Sequence, residues 1–147
     1  MATAPPPPPV SIREQLLAAI TLAVNGQYGV PTPEDERELP LTIVQDSTDE
    51  AATRYDTVEI TTQIAVGRAE AATGTDAAAL RAQANDMLAQ IVTDMHADET
   101  FDGLAYGVDY AGGGIQAEVG KFVFAEASFR VRWHHLRGDP YSQTPTE

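Results

Sequence analysis

The chain has no cysteine, so disulfide frameworks, thiolate nucleophiles and cysteine-ligated zinc are excluded. Positive charge is scarce as well. Nine Lys and Arg stand against 22 Asp and Glu, a net charge of −13, and so acidic a domain repels phosphate backbones. Tight nucleic-acid binding is therefore not expected, and the same charge favours solubility. No apolar run approaches the roughly 18 residues that cross a bilayer. The N-terminus lacks the basic and apolar regions of a secretory signal. Together these absences point to a reducing cytoplasm, or to something assembled within one. At 147 residues the length suits one domain with its own core.

Catalytic signatures are missing too. No G-x-S-x-G elbow surrounds Ser11, Ser47, Ser128 or Ser142, and no Walker loop or dinucleotide fingerprint occurs. The glycine cluster Gly112–Gly114 falls between strands, where no helix dipole would help hold a phosphate. His134 and His135 are neighbours on a strand and point to opposite faces. His96 lies between Asp94 and Asp98, and i±2 neighbours diverge on a helix. Asp98, Thr100, Asp102 and Gly103 match the first half of a calcium loop, with Asp109 where a bidentate Glu is expected. The segment that follows alternates like a strand, however, so a glycine-terminated acidic turn explains it more simply. Arg137-Gly138-Asp139 stands before Pro140 and reads as a strand-ending turn. No enzyme activity, cofactor or metal is expected.

What is present is a set of amphipathic elements. Residues 1–10, with five consecutive prolines from Pro5 to Pro9, favour polyproline II and read as a disordered arm. Residues 11–137 read as one domain and 138–147 as a polar tail. Ser11 and Glu14 form an S-x-x-E capping box that opens a first helix. Ile12, Leu16, Leu17, Ile20 and Val24 form its stripe, and Asn25-Gly26 ends it. An exposed acidic loop from Gln27 to Glu38 precedes a strand over Leu39–Gln45. A polar turn is expected over Asp46–Arg54, and then a strand with Val58, Ile60, Thr62, Ile64 and Val66 on one face. The second helix runs from about Thr75 to His96, capped by Thr75 or Asp76. Its core stripe is Leu80, Ala84, Met87, Leu88, Ile91, Val92 and Met95. A strand over Leu104–Tyr110, a hairpin tip at Gly112–Gly114 and a long terminal strand complete the order. That last strand puts Val123, Ala125, Ala127, Phe129, Val131 and Trp133 on one face. The fold predicted is α+β: a mainly antiparallel sheet of about four strands with two helices packed on one face.

Four residues of the terminal strand lack a core explanation. Phe122, Phe124, Arg130 and Arg132 share the parity opposite to its apolar face. Aromatics beside arginines are a common composition for protein–protein contact, which makes these four the candidate subunit or partner interface. The arginines would meet acidic residues of a neighbouring copy.

The order of elements resembles the tail terminator, or minor tail completion, proteins of long-tailed bacteriophages. The residues that carry the resemblance are the opening helix SIREQLLAAI, the long helix followed at once by DETFDGLAYGVDY, and the ending FRVRWHHLRGDPYS. It covers about residues 11–142; the proline arm and the glycine triplet are atypical. The resemblance implies a virion protein of the tail or neck, assembled in the host cytoplasm as a homo-oligomer, a hexameric ring. Such a ring caps the tail tube, stops polymerisation of the tube protein and presents the surface that joins the head–tail connector. DNA passes through the ring without specific binding, and no membrane is involved. Acidic residues would then line the channel, with Glu34, Asp35, Glu36, Asp98, Glu99 and Asp102 as candidates. Another connector or tube-associated subunit is the neighbouring alternative, although the hairpin read at Gly112 is short for a tube barrel. A small calcium- or ligand-binding module is the alternative of a different class.

Overall fold

A computed structural model describes residues 8–29, 39–117 and 122–145. Helix α1 spans Ile12–Ala23, strand β1 Gln27–Tyr28, β2 Leu41–Arg54, β3 Thr57–Ala71, helix α2 Ala77–His96, β4 Ala105–Ala117 and β5 Phe122–Leu136. Among the described residues the strands make one sheet in the order β1-β2-β3-β5-β4. Every pairing is antiparallel except β1 with β2, so the sheet is mixed. The predicted α+β class holds, with a fifth strand added. That strand is two residues long, which gives the sequence no room for a periodic signal.

Both helices begin as their sequences dictate. Ser11 Oγ accepts from the Glu14 N–H at 3.1 Å, and Asp76 Oδ1 accepts from the Ala79 N–H at 2.8 Å, each satisfying a donor that the helix leaves open. The buried stripes Ile12–Leu16–Leu17–Ile20 and Leu80–Ala84–Met87–Ile91–Met95 join a single core with Val44, Ile60, Ile64 and Val66 and with the apolar face of β5 from Val123 to Trp133. Both helices therefore lie on one face of the sheet. Within this core the Trp133 Nε1–H donates to the buried Thr62 Oγ1 at 2.8 Å, so the bulkiest core side chain has its polar atom satisfied.

Two strand boundaries differ from the sequence reading. The stretch Asp46–Arg54, expected as a turn, is strand. It pairs with β3 from Asp46↔Ile64 to Arg54↔Thr57, with a register shift between Asp46 and Asp49. Cross-strand pairing overrides the weak strand propensity of its Asp, Ser and Ala residues, and a bulge absorbs the mismatch. The real turn is Tyr55–Asp56, with Tyr55 at φ 53°. Gly112–Gly114, expected as a hairpin tip, sits inside β4 opposite Ser128, Ala127 and Glu126. Both hairpins are consequently long, with strands of 14 and 15 residues in one and 13 and 15 in the other. Phe101 lies in the turn after α2. It is buried at φ 45° and anchors the 98–104 turn to the core. Residues 139–143, read as the start of a polar tail, are tied back to the domain. Ile12 N–H donates to Pro140 O at 2.9 Å, and Gln143 Nε2 donates to Leu104 O at 2.6 Å.

Helix α1 is fastened to the sheet by charge. The Arg13 guanidinium meets Asp46 at 2.5 Å and Asp49 at 2.9 Å, and the Tyr28 hydroxyl donates to Asp46 as well. Burial pushes the Asp46 carboxyl up, but the hydrogen bonds from Tyr28 and Arg13 outweigh it and hold the group below the ordinary aspartate range. A lowered native pKa stabilises the fold above the unfolded value near 3.9, and that contribution is lost as pH falls through the native value. Asp46→Asn should therefore cost about 1 kcal/mol at neutral pH, kept small by solvent at the half-exposed Arg13. Urea unfolding at pH 7 and pH 3 checks this: the gap between the two proteins should narrow at acid pH. A gap that is the same at both would remove the charge from the explanation.

Candidate functional site

The face of the sheet opposite the helices carries the candidate interface residues. Across the strands, Leu41, Ala69, Phe124 and Gln116 share one row; Ile43, Gly67, Glu126 and Gly114 the next; and Gln45, Ala65, Ser128 and Gly112 the third. The structure brings Phe122 and Phe124 to one end of this face. Phe122 is 39 % exposed. The Phe124 ring lies over Gly67, where an added Cβ would stand 3.1 Å from it. Glycine at 67 leaves room for that ring. With Leu41 and Ala69 buried beside it, Phe124 helps close a small apolar patch on a face that no described helix covers.

Arg130 and Arg132 stand farther along the same face and are exposed. Arg132 folds over Gly107, leaving no room for a side chain there, and its Nε lies 3.5 Å from Asp109. Both partners are half-exposed, so the pair adds little stability. Arg130 faces Gln63 on one side and Asp109 on the other in strand register. The two aromatics and two arginines thus share a face but occupy different ends of it. Sequence parity placed them on that face; only the strand pairing shows which neighbours each one touches.

Between these ends lies a shallow trough of about 420 Å³ whose lining includes Gly112, Gly114, Gln116, Phe124, Glu126 and Ser128. The sequence reading missed it, because a glycine triplet taken as a hairpin tip gives no reason to look for a floor. A trace was nevertheless present: three glycines facing a strand of alternating Phe, Glu and Ser.

Of the acidic candidates, Asp98, Glu99 and Asp102 sit on the exposed turn after α2, and Glu34, Asp35 and Glu36 lie outside the described residues. Asp98 is engaged within the turn itself. Its Oδ1 accepts from the Thr100 N–H at 3.0 Å and the Thr100 hydroxyl at 2.6 Å, and its Oδ2 accepts from the Asp102 N–H at 3.0 Å. The Thr100 hydroxyl, followed by the two backbone donors, holds the Asp98 carboxyl below the usual range. The geometry is that of the glycine-terminated turn favoured from the sequence. Among the described residues no group of three or more His, Asp or Glu is placed to hold a metal ion, and no helix is long and apolar enough to cross a membrane.

The histidines have local partners. His96 Nδ1 lies 3.1 Å from Glu99, and His134 stacks on Tyr106 with its Nε2 3.1 Å from Gln143 O. His135 Nδ1 lies 2.7 Å from Leu136 O.

No protein-family model matches the chain, and no curated protein matches it. Among solved structures it is similar to a chain described as "Virion of native gene transfer agent (GTA) particle". The identity is 14%, the TM-score 0.38, and the match covers 84% of this chain and 92% of that one. A likeness at that level carries no functional argument.

Proposed function

We propose that the chain is a structural virion subunit that caps the tail tube, stops its polymerisation and offers the surface that joins the head connector. The supporting observation is the sheet itself. Helices cover one face, while no described helix covers the other, which carries Phe122, Phe124, Arg130 and Arg132. A face of that composition suits contact with protein. The sequence resemblance supplies the particular role. In this reading the subunit acts by shape, as a homo-oligomeric ring, hexameric by that resemblance. One ring face fits the last ring of tube protein, and the other offers no tube-like surface, so growth ends. Glu34, Asp35, Glu36, Asp98, Glu99 and Asp102 line the channel and repel passing DNA.

A tube-associated subunit is the second reading, and one observation favours it. The β4–β5 hairpin is far longer than the sequence implied, since β4 continues to Ala117. About 13 residues of strand span roughly 43 Å, enough to build a barrel wall between copies. One experiment separates the two. Light scattering of the purified chain, alone and with tube protein, should show a species of fixed size that halts tube growth when added. Unlimited growth of the chain by itself would select the tube reading. Tails of normal, fixed length assembled without this chain would rule out termination.

A further inference from the structure

Two residues sit where the isolated chain gives no reason for them. Tyr55 caps the β2–β3 hairpin at φ 53° and is 94 % exposed. A two-residue turn at positive φ favours Asn, Asp or Gly, and a bulky residue there is strained. The ring buries nothing of its own chain in return. The second is Gly114. Glycine inside a strand costs about 0.5–1 kcal/mol against alanine, and two of its neighbours have internal reasons for it. Gly112 adopts φ 129°, and a Cβ on Gly113 would collide with Glu126 O at 2.7 Å. Gly114 has no such reason, because a Cβ there would meet nothing within 4 Å.

We infer that Tyr55 of one copy docks in the trough beside Gly114 of the next, with its ring against Phe124 and Arg54 directed at Glu126. The occupant is argued from charge and position. In a chain with nine cations, one of them, Arg54, adjoins the exposed ring. It is 70 % exposed and held at 3.2 Å by Glu59, and the trough wall carries the exposed carboxylate of Glu126. Exposed glycine on a sheet face is a good floor for an aromatic ring, which covers the bare backbone. Aromatic and arginine side chains seated in a pocket are the usual energetic centres of protein contacts.

The topology keeps the tip and the trough of one copy well apart. The hairpin tip belongs to strands β2 and β3, and the trough to β4 and β5 on the other side of the sheet. They also lie at opposite ends of the strands: Thr57 pairs with Leu136 beside the tip, and Ala117 pairs with Val123 beside the trough. A knob and a hole at opposite corners can be satisfied reciprocally in a two-fold pair or in series from copy to copy, and the proposed ring takes the second arrangement. Linked in series, knob into hole, the copies make the heterologous contact that can close into a ring. The inference rests on the proposed self-association and specifies its contact.

The absence of cysteine makes a clean test available. Full-length Tyr55→Cys is mixed under mild oxidation with Gln116→Cys, and separately with Gln90→Cys on the exposed side of α2 as control. A disulfide-linked heterodimer should form in the first mixture and not in the second. Gly114→Phe fills the trough from within, and it should keep the fold by circular dichroism while weakening association at least tenfold in light scattering. Association of the parent chain without selective cross-linking, or unchanged by Gly114→Phe, would overturn the docking and leave the ring standing. A parent chain that stays monomeric at every concentration, with tube protein present, would overturn both.

Discussion

Replacing Trp133 with alanine should remove about 3–5 kcal/mol of stability, the usual cost of deleting a buried aromatic side chain. Against a typical total of about 5–15 kcal/mol, that leaves the fold marginal or lost. Trp133 is 2 % exposed in the shared core, on β5 between Ile60 of β3 and Ala105 of β4, and it is the only tryptophan in the chain. Its effect separates into volume and polarity. Thr62→Val keeps the volume but strands the indole N–H, which should cost about 1–3 kcal/mol. Trp133→Phe strands the threonine hydroxyl in the same way. The double variant leaves neither group unpaired, so its loss should be smaller than the sum of the two single losses. Denaturant unfolding followed by circular dichroism measures all four proteins. Strict additivity would show that the 2.8 Å contact between Trp133 and Thr62 contributes no coupling of its own.

The second large effect is expected at Gly113. A Cβ built there stands 2.6 Å from the Tyr110 hydroxyl, 2.7 Å from Glu126 O and 3.0 Å from Leu88 Cδ1. Tyr110 and Leu88 can move, but the carbonyl belongs to the neighbouring strand and moves only with the sheet. Gly113→Ala should therefore cost about 1–3 kcal/mol as an overpacking change, and Gly113→Val more, despite the strand preference of valine. Gly114→Ala, one residue on and pointing to open space, should be neutral or stabilise by up to about 1 kcal/mol. Thermal unfolding of the variants makes a sharp comparison. Equal losses at the two positions would mean that the Glu126 carbonyl does not crowd position 113.

These two sites show what was legible and what was not. The Trp133 face of β5 could be read directly, because a period of two over 11 residues admits one explanation. Helices α1 and α2 were equally clear, since Ser11 and Asp76 cap stripes of apolar residues at helical spacing. The candidate surface was half legible: parity put Phe122, Phe124, Arg130 and Arg132 on the outer side, and nothing in it could show Phe124 lying on Gly67 or Arg132 on Gly107. Gly112–Gly114 misled, because glycine marks flexible tips and tightly packed strands alike. Only the position of Leu88 and Glu126 tells them apart. The run from Asp46 to Arg54 misled for a related reason. Its residues prefer turns in isolation and are held extended by partners on β3.

From its residues alone this chain determined two capped helices, a sheet with one apolar side, and a surplus of negative charge. Those properties depend on neighbours a few positions away, and the physics of local periodicity reads them. The lengths of the hairpins, the two-residue parallel strand, the seat of Phe101 and the trough at Gly114 were decided by tertiary structure. Each depends on atoms brought together across more than ten positions of sequence, where pairing and packing energies outweigh local preference.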